Sequence, residues 1–227
     1  RGVYDNIRKF VLFMLPTNGG EGLVVVAAIL FELTLPLTAA QGLWITMATS
    51  STLGLALAFE PVEPNVMRRP PRDPREPLLT GFFVWRVIMV SVLMMTGALG
   101  LFLWELSNGA DLQVARTMAV NAVVMSEMFY LINSRFIYRS VLSRDGLFGN
   151  PYALMAIGAC VLLQIAYTHT APLQAVFGSA DLGISEWLRV LAAGLFVFSV
   201  SEIEKWVLRV LNKRRLRPRL SGEPATA

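Results

Sequence analysis

An asparagine and a glutamate, Asn18 and Glu21, sit inside an apolar run from about Phe10 to Leu33, and this placement constrains the chain more than any other feature. A run of that length crosses a hydrocarbon core of roughly 30 Å, which needs about 20 helical residues. Glu21 then falls within the membrane, where an ionised side chain costs at least about 2.5 kcal/mol and therefore faces a bundle interior and binds or relays something. Asn18 and Glu21 are three residues apart, so they share a helical face and their oxygens converge on one object. Pro16, Gly19 and Gly20 weaken the helix ladder around them and free carbonyls that serve as further hard ligands. We read this stretch as half of a cation site with Asn18 and Glu21 as metal ligands. The plain alternative is a glutamate bonded to a neighbouring helix without a transport role.

Composition agrees with a polytopic membrane protein, since 55% of the residues are apolar and only 16% charged. The charges cluster between the long apolar runs. The net charge of +4 therefore follows from basic residues flanking spans and does not call for a nucleic-acid partner. One cysteine, Cys160, excludes an intramolecular disulfide, and one histidine, His169, excludes a multi-histidine metal site. No small-residue cleavage site follows the basic start, so we expect no signal peptide, and the opening Arg1 suggests a chain cut from something longer.

In chain order, residues 1–9 carry Val3, Ile7 and Phe10 at helical spacing and extend the first span into the cytoplasm as a stalk. We expect an all-α membrane protein, a six-helix transmembrane bundle with spans at about 10–33, 37–59, 82–106, 115–132, 152–171 and 187–205. Arginine clusters at Arg68 to Arg75 and Arg135 to Arg144, with the basic run Lys205 to Arg215, put both termini in the cytoplasm. Residues 216–227 read as a disordered cytoplasmic tail.

The second span holds a cluster of hydroxyls in which Thr46, Thr49 and Ser50 share one face. These hydroxyls either bond back to their own helix or form the wall of an ion site opposite Asn18 and Glu21. In the third span, Arg86 is placed to snorkel to the inner surface and Gly97 and Gly100 to pack closely. The fourth contains a second deep carboxylate, Glu127, whose position nearer the cytoplasmic end favours packing or a proton path. His169 reads as an interfacial residue at the outer boundary.

Several segments together resemble the C-terminal membrane half of type II P-type cation-transporting ATPases, the calcium-pump-like group. They are Val3-Tyr-Asp-Asn-Ile-Arg-Lys-Phe10, Asn18-x-x-Glu21, Leu35-Pro-Leu-Thr38, Leu43-Trp-Ile45, Leu55-Ala-Leu-Ala-Phe-Glu-Pro61, Met67-Arg-Arg-Pro-Pro-Arg72 and Asn133-Ser-Arg135. The resemblance reaches to about Arg215, so that residues 1–215 form the transport domain and the six spans are the fifth to tenth helices of a ten-helix pump. It implies that Asn18 and Glu21 are ion ligands of the family's fifth helix and that Glu127 is the eighth-helix carboxylate used by some calcium pumps. The family's sixth helix carries an asparagine and an aspartate where this chain has Thr46 and Ser50, with Thr49 matching the threonine between them. A site short of one carboxylate leaves a monovalent cation, a proton-coupled mode and a single divalent site open.

The resemblance further implies a lipid bilayer, a transported cation and the missing N-terminal part of the same pump as partners, in a multi-pass protein of the cell membrane. No catalytic residue and no cofactor is expected in this fragment; Mg and ATP belong to the missing phosphorylation and nucleotide-binding domains. The competing expectation is a free-standing six-span ion-binding or channel-like protein without ATPase activity.

Overall fold

The computed structural model describes residues 2–60, 81–136 and 139–220, with the backbone alone at 144–145 and 212–220. The proline- and arginine-rich loop expected after Glu60, with Arg68 to Arg75, lies outside the described residues, as do residues 221–227. Among the described residues every regular element is helical. The elements are α1 (Gly2–Leu30), α2 (Ala39–Thr49), a π-helical turn (Ser50–Gly54), α3 (Leu55–Ala58), α4 (Gly81–Ser107), α5 (Leu112–Ser134), α6 (Arg144–Phe148), α7 (Pro151–His169), α8 (Ala171–Phe177) and α9 (Ile184–Leu220). The last helix thus runs five residues into the stretch expected as tail.

Among the described residues four helices are long and apolar enough to cross a membrane: α1, α4, α7 and α9 as far as Leu211. The other two expected spans differ for physical reasons. α5 is surrounded by protein, with almost every residue from Thr117 to Leu131 buried, so it carries Thr117, Asn121, Ser126 and Glu127 where a lipid-facing helix would carry aliphatics. It packs against α1, α4, α7 and α9 and forms the axis of the bundle.

The second expected span is interrupted. Its start is fixed by a capping box in which Thr38 Oγ1 accepts from Gln41 N at 3.2 Å and Gln41 Oε1 accepts from Thr38 N at 3.0 Å. Further along, the hydroxyls of Thr46, Thr49 and Thr52 bond back to the carbonyls of Gly42, Ile45 and Ala48 at 3.1, 3.0 and 2.5 Å. Such bonds compete with the backbone donors for the same carbonyls. The helix widens to the π turn within this run, between Thr49 and Thr52, a departure that recurs at functional sites.

At the end of the bundle that carries Gly2, buried charges tie the helices together. Glu60, just past α3, accepts from Arg135 Nε at 3.1 Å and from Asn150 Nδ2 at 2.5 Å. Asn150 Oδ1 in turn caps α7 through the amides of Tyr152 and Ala153. Asn6 of α1 donates to the carbonyls of Ala58 and Glu60 at 3.1 and 3.0 Å. Glu202 of α9 accepts from Asn133 Nδ2, Lys205 Nζ and Ser140 Oγ at 2.8, 3.0 and 2.6 Å. Arg86 corrects the expectation of a snorkelling side chain: it is fully buried and pairs with Glu204 of α9, which answers its charge without a route to the surface. Gly97 lies 3.7 Å, measured from an added Cβ, from Ala193 of α9, whereas Gly100 faces open space and is not a close-packing position.

Candidate functional site

The site starts from a defect in α1. Pro16 lies inside this helix and has no N–H, so the carbonyl of Leu12 loses its intrahelical donor. The phenol of Tyr130, on α5, donates to that carbonyl at 3.0 Å, and Ser91, on α4, donates to the carbonyl of Pro16 at 2.9 Å. Next along α1, an added Cβ at Gly19 would lie 2.4 Å from Ser91 Oγ and one at Gly20 would lie 2.9 Å from Met94 Cβ, so both glycines are required by the close approach of α4.

This seating of α1 against α4 leaves Asn18 and Glu21 on its other side. Both line a cavity of about 560 Å³ that also takes in Thr38, Gly42 and Thr46 of the opposite arm of the hairpin. Thr46 Oγ1 lies 3.3 Å from Glu21 Oε2 and 3.1 Å from Gly42 O; its single hydrogen serves one of the two at a time. Glu127, fully buried on α5, lies within electrostatic reach of Glu21 and of Thr49.

Three carboxylate oxygens converge here with no hydrogen-bond partner among the described residues: Oε1 of Glu21 and both oxygens of Glu127. A buried carboxylate oxygen without a donor is strongly disfavoured unless a positive charge or a proton answers it. No group of three His, Cys, Asp or Glu residues gathers as metal ligands among the described residues. The acidic side chains gathered here are Glu21 and Glu127, with Asn18 and Thr46 on the cavity and Thr49 beside Glu127.

The six residues singled out from the sequence are thus not equivalent in space. Glu21 and Thr46 touch, Asn18 shares their cavity, and Glu127 and Thr49 approach from the bundle side. Thr49 is buried and its hydroxyl is turned back to Ile45 O. Ser50 is half-buried at the start of the π turn and is not part of the cavity wall.

The sequence reading missed two features. One is a buried polar chain joining α2, α7 and α5: Trp44 Nε1 donates to Gln164 Oε1 at 2.9 Å, Gln164 Nε2 to Asn121 Oδ1 at 3.3 Å, and Asn121 Nδ2 to Thr168 Oγ1 at 3.1 Å. It anchors α2 two residues before Thr46. The other is Tyr130, which falls three residues after Glu127 and so on the same face of α5. That spacing was the available signal.

Residues 34–207 match the family described as "Cation transporting ATPase, C-terminus". The chain belongs to the cation-transporting ATPases. It corresponds to the C-terminal membrane part of a P-type ATPase. Among its relatives, "Probable cation-transporting ATPase F" of Mycobacterium tuberculosis is 44% identical over 210 residues, covering 92% of this chain and 23% of that protein. "Cation-transporting ATPase pma1" of Synechocystis is 34% identical over 192 residues, 82% of this chain and 21% of its own length. "Calcium-transporting ATPase type 2C member 1" of Mus musculus is 32% identical over 213 residues, 94% of this chain and 23% of its own. The chain therefore spans less than a quarter of the length of these relatives. With this family and its apolar helices, the protein is a multi-pass membrane protein.

Proposed function

We propose that this chain is the transport domain of an ATP-driven cation pump and carries part of the intramembrane cation site. The observation that carries the reading is the convergence of three carboxylate oxygens, from Glu21 and Glu127, that have no hydrogen-bond partner among the described residues, beside Thr46 and Thr49 and a cavity that Asn18 also lines. In this reading Glu21 is the principal ligand, Glu127 the second charged ligand, and Asn18 and Thr46 neutral ligands from the two arms of the hairpin. Thr49 approaches Glu127 from the bundle side, and Ser50 stands behind the site where the helix widens. The substrate is a cation dehydrated to fit between these oxygens, which are hard donors.

The six spans correspond to the fifth to tenth helices of a ten-helix pump, with α2, the π turn and α3 forming the second and α5 the fourth, and both termini in the cytoplasm. Mg and ATP act in the remaining part of the full-length protein, to which residues 1–9 connect the site as a stalk. The relatives favour this over a free-standing channel-like protein, since those named are cation-transporting ATPases.

The test is phosphorylation of the full-length protein by ATP, titrated with cations in turn. A cation that is transported stimulates phosphoenzyme formation, and Glu21→Gln raises the concentration required at least about tenfold, because a charged ligand facing a desolvated ion contributes more than about 1.4 kcal/mol. Wild-type ion dependence in Glu21→Gln would sink the assignment.

A further inference from the structure

Pro16 breaks the hydrogen-bond ladder of α1 two residues before Asn18, and a break of this kind is where a helix bends. What holds α1 at that point comes from another helix. Tyr130 Oη donates to the carbonyl of Leu12, the acceptor that Pro16 leaves without an intrahelical donor, at 3.0 Å. The bond is buried, and the Tyr130 ring is itself fixed by stacking on Phe13, with centroids 6.3 Å apart and planes 17° from parallel. Because Tyr130 and Glu127 share a face of α5, this helix meets α1 twice, with Tyr130 on Leu12 before the proline and with Glu127 beside Glu21 after it.

We infer that Tyr130 is a positioning residue for the cation site: its hydroxyl replaces the donor that Pro16 removes, and so fixes the angle between the Gly2 half of α1 and the half that carries Asn18 and Glu21. Displacement of the stalk then reaches the ligands through a stiff joint. Without the hydroxyl the joint is soft, a buried carbonyl is orphaned, and the two carboxylates are no longer held in register. This inference rests on the transport reading above.

The experiment compares Tyr130→Phe with the parent protein, each with Pro16 and with Pro16→Ala, in the full-length protein. Tyr130→Phe keeps the stacked ring and removes only the donor. Pro16→Ala supplies a backbone N–H to Leu12 O and raises helix propensity, so the double variant retains a folded α1. Amide hydrogen exchange over residues 17–24 reads the joint itself; cation-dependent phosphorylation reads its consequence.

With Pro16 present, Tyr130→Phe is expected to speed this exchange about five- to tenfold, the scale of one buried hydrogen bond. It should raise the half-saturating cation concentration by a similar factor while leaving maximal phosphoenzyme at saturating cation unchanged. In the Pro16→Ala background the same substitution should change both by less than about twofold, because the carbonyl already has its donor. Equal effects in the two backgrounds, or no effect with Pro16 present, overturn the inference. A protein whose phosphorylation ignores every cation would instead sink the transport reading, and the exchange comparison would still decide the joint.

Discussion

Glu21 and Ser50 lie on facing arms of one hairpin, yet the geometry gives them different work. Glu21 presents a carboxylate to the cavity, with one oxygen lacking a partner among the described residues and the other met by Thr46, whereas Ser50 sits half-buried on the π turn away from the cavity wall. A neutral hydroxyl contributes about 1 kcal/mol, roughly a fivefold change in an apparent affinity. We therefore expect Glu21→Gln to reduce cation-stimulated phosphoenzyme formation far more than Ser50→Ala at equal expression. Loss of ion dependence in Ser50→Ala alone would place the centre of the site on the hydroxyl arm. Another residue-scale outcome concerns Glu60. Arg135→Ala leaves its buried carboxylate with Asn150 but no countercharge among the described residues, which should lower stability by about 3–5 kcal/mol, seen as early thermal unfolding in detergent. Glu21 stands out in the sequence because a carboxylate within an apolar run has so few explanations. Glu60 and Arg135 were not, since each stands beside a span end where charges are ordinary, and only the fold brings them within 3.1 Å.

At the scale of elements, the packing of α1 on α4 decides where the ligands face. Gly20→Ala places a methyl 2.9 Å from Met94 Cβ, so one helix must shift, and overpacking of this kind costs about 1–3 kcal/mol. Gly158→Ala is the matched control: an added Cβ at this position in α7 meets nothing within 4 Å, so it should be neutral or slightly stabilising through helix propensity. Thermal unfolding of both variants checks the pair, and equal midpoints would mean that the α1–α4 seam yields without penalty. The long apolar helices α1, α4, α7 and α9 follow from composition and length. The π turn does not, because three threonines bonding back to their own helix read the same in sequence as three threonines facing an ion. α5 was legible as a helix, but its position as the buried axis is a tertiary fact, recorded in the sequence only as an excess of polar residues among small and aliphatic ones.

For the whole molecule, the proposal fixes a topology that chemistry can read. The segment between α4 and α5 holds exposed Asn108, and the segment after α5 holds exposed Arg139. α5 has 23 residues and spans about 34 Å, enough to put these segments on opposite sides of a bilayer. Arg135, Arg139 and Arg144 lie at or in the second segment and a basic run ends α9, against the lone Arg116 near the first, so the bias toward positive charge inside assigns Arg139 to the cytoplasm and Asn108 to the outside. Single cysteines at these two positions test the assignment in intact cells expressing the full-length protein. The native Cys160 is fully buried and contributes no background. A membrane-impermeant maleimide should label Asn108→Cys directly and Arg139→Cys only after permeabilisation. The reverse pattern would invert the bundle, place the Gly2 end of α1 outside, and separate the cation site from any ATP-driven stalk; labelling of both from outside would show that α5 does not cross at all.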